Sequence, residues 1–117
     1  MFTVDMSKTK SDRPHGSLDL LILRVLETMG PVHGYAIARR LEQVAGGATK
    51  LSQGAIYPAL IRLEQQGHLT PRWGVSETNR EVKFYELTAA GAAYLREEIA
   101  SWEQSTALIA RFLGARS

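Results

Sequence analysis

The chain contains no cysteine. That excludes a disulfide framework and any thiolate-held metal. It has no run of about 18 apolar residues, the length a membrane-spanning helix needs. Met1 to Pro14 hold no continuous hydrophobic segment, so no secretory leader is expected. The cytoplasm is the expected compartment, and a membrane is not an expected partner. Histidine is scarce: His15, His33 and His68 stand at spacings that suit no metal, and HExxH, Walker A and GxSxG patterns are missing. The pair Glu97-Glu98 lies on the outer face of a predicted helix and reads as solvation. Neither catalysis nor a cofactor or metal is expected.

What remains is a chain of 117 residues, 44% hydrophobic and 22% charged, which is enough for one domain with one core. Its net charge is only +2, so composition alone is weak evidence for an anionic partner. The distribution says more. From Gly30 to Lys83 seven basic residues (Arg39, Arg40, Lys50, Arg62, Arg72, Arg80, Lys83) face four acids (Glu42, Glu64, Glu77, Glu81). From Ala89 onward the balance is three against three. A basic footprint therefore belongs to the middle of the chain. Scattered solvated charges fit the composition as well.

Residues 1–15 carry Lys8, Lys10 and Arg13 with little periodicity and read as a flexible arm, either lying along a nucleic-acid backbone or a tail of no consequence. Residues 16–88 are expected to form one helix-rich domain. Ser17 suits an N-cap, with Asp19 placed to favour the helix dipole. Leu18 to Met29 is apolar on most sides, and Gly30-Pro31 ends it. After a connector, Val32-His33-Gly34, a second helix runs roughly from Tyr35 to Val44, with Ile37, Leu41 and Val44 inward. His33 is placed to cap or pack at its start. Ala45-Gly46-Gly47-Ala48 reads as a loop, and Ser52 as a cap for the third helix.

The stretch from Gly54 to Gly67, read as that third helix, has two faces. Ile56, Leu60 and Leu63 fall at i, i+4, i+7 and form an apolar stripe. Tyr57, Pro58, Ile61, Arg62 and Gln65 point away from it. Pro58 removes a helix bond, which either sets a bend or marks a functional face. Leu69 to Trp73 and Glu81 to Leu87 then suit two strands around a polar turn. The expected fold is mainly α with a small β-hairpin, a winged helix-turn-helix. Residues 89–117 are read as a separate dimerisation helix capped by Thr88. Leu95, Ile99, Trp102, Thr106, Ile109 and Leu113 are spaced 4, 3, 4, 3, 4, a heptad seam. Packing back on the core is the alternative for its first two turns.

A nucleic-acid reading follows. Helix three would enter the major groove, a cationic hairpin would touch flanking phosphates, and a homodimer would place two such units on a pseudo-palindromic double-stranded site. Arg62 and Gln65 carry planar donors suited to base edges, and Tyr57 a hydroxyl suited to phosphate. Arg80 and Lys83 are the hairpin candidates, and His68 either touches phosphate or is simply exposed. Tyr35, Ser52, Gln53 and Pro58 complete the expected DNA-contacting set.

Several stretches resemble PadR-type transcriptional regulators: Gly16 to Leu23, Pro31-Val32-His33-Gly34-Tyr35-Ala36-Ile37, Gly54-Ala55-Ile56-Tyr57-Pro58-Ala59-Leu60, Arg62-Leu63-Glu64 and Gly67, while the hairpin Trp73-Gly74-Val75-Ser76-Glu77 through Arg80, Lys83, Tyr85 and Leu87-Thr88-Ala89-Ala90-Gly91 resembles the family's wing and its entry to the last helix. The resemblance implies a dimeric winged-helix DNA-binding protein, usually a repressor, of the short branch with one C-terminal helix. In multidrug-sensing members of that branch a tryptophan on this helix stacks on flat aromatic compounds between subunits. Trp102, fourteen residues after Thr88, stands where that tryptophan is expected. A large ring at a seam is also good plain dimer packing, the reading that the residues themselves favour. Two rival readings stay open: a winged helix that docks a protein and not DNA, and a sensor whose main activity is ligand binding.

Overall fold

The computed structural model describes residues 18–46 and 53–114, the side chain of Gln53 aside. The expected N-terminal arm, the Ser17 cap and Ser52 lie outside the described residues. The first helix, α1, covers residues 18–29. Then come β1 (Val32–His33), α2 (Gly34–Ala45), α3 (Gln53–Gln65), β2 (Leu69–Val75), β3 (Glu81–Leu87) and α4 (Ala89–Phe112).

The helices form where the apolar period is 3.6 and the strands where it falls to two. Ile22, Leu23, Val25 and Leu26 of α1 meet Ile37, Ala38 and Leu41 of α2 and Ile56, Ala59, Leu60 and Leu63 of α3 in one core. Leu69 and Tyr85 close it from the sheet. Val44 does not join it; at the end of α2 it turns to solvent.

The sheet has three strands in the order β1-β3-β2, all antiparallel. The connector expected at Val32-His33-Gly34 is partly a strand: Val32 pairs with Tyr85 and His33 with Phe84. A two-residue strand has too little sequence to show a period, so only its partner reveals it. His33 then caps α2, its Nδ1 accepting from the Ala36 N–H at 3.3 Å. The hairpin β2–β3 turns at Ser76 to Asn79, where Ser76 and Arg80 close the turn and Asn79 adopts φ 63°, a conformation asparagine tolerates.

Thr88 fastens α4 to the corner after α3. Its Oγ1 accepts from Gly91 N–H at 2.9 Å and donates to the Gly67 carbonyl at 2.7 Å. Its own N–H donates to the His68 carbonyl at 3.2 Å. Gly91 presses on that carbonyl so closely that a Cβ there would lie 2.0 Å from the oxygen. His68 is therefore neither free nor on a phosphate-facing surface: its ring stacks on Tyr94 with centroids 4.2 Å apart.

α4 shares the main core. Leu95 is fully buried and Ile99 packs against the same cluster. Leu95 is thus unavailable to a dimer seam, because its own domain uses it. Arg96 reaches α1 and holds Glu27 at 2.7 Å. Beyond Ile99 the helix leaves the domain: Trp102, Thr106, Leu108, Ile109, Phe112 and Leu113 are exposed.

Candidate nucleic-acid interface

α3 buries Ile56, Leu60 and Leu63 completely, and the opposite face consequently meets solvent. Tyr57, Pro58, Ile61 and Gln65 are exposed there. Arg62 is not free among them. Its Nη2 donates to Asp19 Oδ1 at 2.7 Å and its Nε to Oδ2 at 3.4 Å. Asp19 is buried, so Arg62 neutralises a carboxylate that would otherwise be desolvated without a partner. The guanidinium expected at base edges is held by the fold. Asp19 likewise does more than favour a helix dipole.

Tyr57 is positioned by α2. Its ring lies against Gly34, where a Cβ would come within 2.8 Å of Cε1. Gly34 is thus the reason that the start of α2 and the start of α3 approach so closely, and the aromatic edge between them is fixed. Beside it opens a cleft of about 800 Å³ between α2, α3 and the hairpin. Tyr35, Tyr57, Arg80 and Lys83, expected separately from the sequence, all line it. Arg39 and Arg40 of α2 line it too, against a single acid, Glu77. Their outward facing was legible; their meeting with the hairpin depends on tertiary structure. Arg39 lies 5.9 Å from the centroid of the Tyr35 ring.

The two hairpin cations differ. Lys83 sits 3.9 Å from Glu64 of α3 and 5.9 Å from the Tyr85 ring, so part of its charge is spent inside the fold. Arg80, at the turn, is exposed and enters no salt bridge among the described residues. The Tyr85 phenol is pushed above its ordinary value of 10.0, first by burial, then by the Glu64 carboxylate and by repulsion between its phenolate and that of Tyr57. It stays protonated and neutral at the back of the cleft.

The surface therefore combines a convex helix face with donors at Tyr57 and Gln65 and a cationic cleft beside it. It matches the requirements of duplex binding, in which cations position the backbone and a helix face meets the groove. Ser52 lies outside the described residues, as does the side chain of Gln53. Among the described residues no cluster of histidine and carboxylate could hold a metal, and no helix is long and apolar enough to cross a membrane.

Comparison with known proteins agrees with this geometry. The model of the transcriptional regulator PadR-like family matches residues 22–97. The transcriptional regulator YqjI of Escherichia coli K12 is 36% identical over 83 residues, which span 71% of this chain and 38% of that protein. A transcriptional regulator from Clostridium thermocellum superposes with a TM-score of 0.75 at 27% identity, covering 87% of this chain and 95% of that one. Bacillus subtilis PadR, solved in complex with operator DNA, superposes with a TM-score of 0.63 at 30% identity over 71% of this chain and 45% of its own.

Proposed function

Since this chain belongs to the PadR-like family of transcriptional regulators, we propose that it acts as a homodimer that represses transcription by occupying a pseudo-palindromic operator. It is a DNA-binding regulator and not an enzyme. The observation that carries the reading is the pairing of the exposed α3 face with the cleft lined by Arg39, Arg40 and Arg80. In this reading Gln65 and Ile61 meet base edges, the Tyr57 and Tyr35 hydroxyls and the Arg39, Arg40 and Arg80 side chains meet phosphates, and Lys83 assists from its place beside Glu64. Arg62 supports the helix from behind. The cytoplasm is where such an operator would be met.

Dimerisation rests on the outer half of α4. An apolar stripe of Trp102, Ile109, Phe112 and Leu113 is left in water by the monomer, and a second copy is the partner that a heptad-spaced stripe suits. A flat aromatic effector stacking on Trp102 would loosen or re-angle that contact. This reading is supported by the exposure of the indole on the unpaired stripe. Quenching of tryptophan emission by aromatic cations, lost in Trp102→Ala, is its test.

Selection of duplexes from a random pool, followed by fluorescence anisotropy at several salt concentrations, tests the main reading. The expected result is a two-fold related consensus and affinity that falls steeply with salt. Salt-independent, sequence-indifferent behaviour would instead favour a protein-docking winged helix.

A further inference from the structure

The residues of β2 alternate across the sheet, so Leu69, Pro71, Trp73 and Val75 share one face. Their cross-strand partners on β3 are Leu87, Tyr85, Lys83 and Glu81. This is the face that packs on the domain: Leu69 and Tyr85 are core residues, and Lys83 reaches Glu64 of α3. Along β2 the cover runs out. Leu69 is 2% exposed, Trp73 63% and Val75 64%. The inner face of the hairpin therefore extends past α3 and ends in a bare indole.

Nothing in the domain's packing calls for that indole. Among the described residues no ring stacks on Trp73, and the core closes without it. Trp73 and Val75 stand two residues apart on one strand face, and together they form an apolar patch that the domain leaves in water. Tryptophan combines a flat apolar body with one N–H donor, which suits a surface that is apolar in its sugars and anionic in its phosphates.

We propose that Trp73 is a DNA-contacting residue of the hairpin, laying its indole against the sugar-phosphate wall of the duplex that α3 engages. The inference rests on the duplex-binding reading given above. Two features select a duplex as occupant. Trp73 pairs directly across the strands with Lys83, which lines the cationic cleft together with Tyr57 of α3, so a duplex seated over that cleft is the body that lies nearest the indole. The cation that is free for phosphate is close by: Arg80 stands exposed at the turn, while Lys83, directly across the strand pair, is shared with Glu64, and Glu81 stands opposite Val75. Hydrophobic contact at this point would add affinity without adding a charge, so it would leave no mark on the salt dependence.

The experiment uses the full chain labelled with 5-fluorotryptophan, which gives two fluorine resonances, one from each tryptophan. Trp73→Phe assigns them. The probe is a selected duplex of roughly 30 base pairs, long enough for two half-sites about one helical turn apart, with a scrambled duplex beside it. The expected result is a shift of the Trp73 resonance that saturates together with the anisotropy. Trp73→Ala should bind the selected duplex about tenfold more weakly, equivalent to one good apolar contact, with the slope of affinity against salt unchanged. A duplex that saturates by anisotropy while the Trp73 resonance stays in place would overturn the proposal and leave the main reading intact. Movement of that resonance on dilution without DNA would assign Trp73 to a subunit contact and overturn it as well. Failure of any duplex to bind, even at low salt, would overturn both.

Discussion

Arg62 and Asp19 are 43 residues apart and joined by two hydrogen bonds, the shorter 2.7 Å. The pair ties the start of α1 to the last turns of α3. It has a stability cost when broken, because Asp19 is buried and Arg62 half-buried. Arg62→Ala is expected to destabilise the fold by about 2 kcal/mol, the scale of a partly buried charge left unpaired. The double variant with Asp19→Asn should lose less than the sum of the two singles. Urea unfolding of the four proteins measures this. Equal and additive losses would show that the two side chains act independently.

Gly34 and Tyr57 give the second prediction. In Gly34→Ala the new Cβ meets the Tyr57 ring at 2.8 Å. The far end of a side chain is what must move, so unfolding should change by less than about 1 kcal/mol. Operator affinity should still fall several-fold, because the Tyr57 hydroxyl is displaced. Anisotropy and thermal unfolding on the same variant separate the two effects.

Gly91 offers the opposite case. A Cβ there would lie 2.0 Å from a backbone oxygen, which has no freedom to retreat. Gly91→Ala should cost about 3 kcal/mol or more. Calorimetry should register it as a large fall in melting temperature, whatever the DNA or subunit concentration.

The interface residues should divide by role. Arg80→Ala should weaken all duplexes alike and reduce the salt slope by about one unit, as for one lost phosphate contact. Gln65→Ala should act on selectivity, narrowing the gap between selected and scrambled duplex with little effect on the slope. Titrations at four salt concentrations distinguish the two patterns, and a Gln65→Ala chain that discriminates as before would remove Gln65 from base reading.

Tyr85 supplies a pH dependence. Its folded-state pKa is raised above 10.0, so the folded chain holds the phenolic proton more tightly than the unfolded chain does. The associated stability is present below the unfolded value and lost as pH rises through the folded one. Tyr85 should therefore ionise late in an absorbance titration. Tyr85→Phe should remove that late phase and flatten the alkaline loss of stability.

Much of this architecture is legible in the sequence. Ile56, Leu60 and Leu63 announce a buried helix face because their spacing has one structural meaning, and Thr88 announces a helix start because an N-cap is a local device. The misses are non-local. Asp19 reads as a first-turn acid until its partner across the fold is known. Val32 and His33 read as a connector because two residues carry no period. Leu95 reads as part of a heptad seam because a core stripe and a dimer stripe share the same spacing, and only the extent of the domain decides where one stops. His68 reads as a candidate for phosphate in sequence alone, because the Tyr94 ring stacked on it comes from another element.

The short strand β1 has a mechanical consequence. Its two rungs bolt His33, the N-cap of α2, to β3, the middle strand of the sheet. The helix bearing Arg39 and the hairpin bearing Arg80 are thereby one caliper, with its jaw spacing set by the backbone. In the proposed dimer, a twist delivered through α4 would then change which stretch of duplex the jaws can straddle, by altering the distance between the two calipers, and would leave the gap of each untouched.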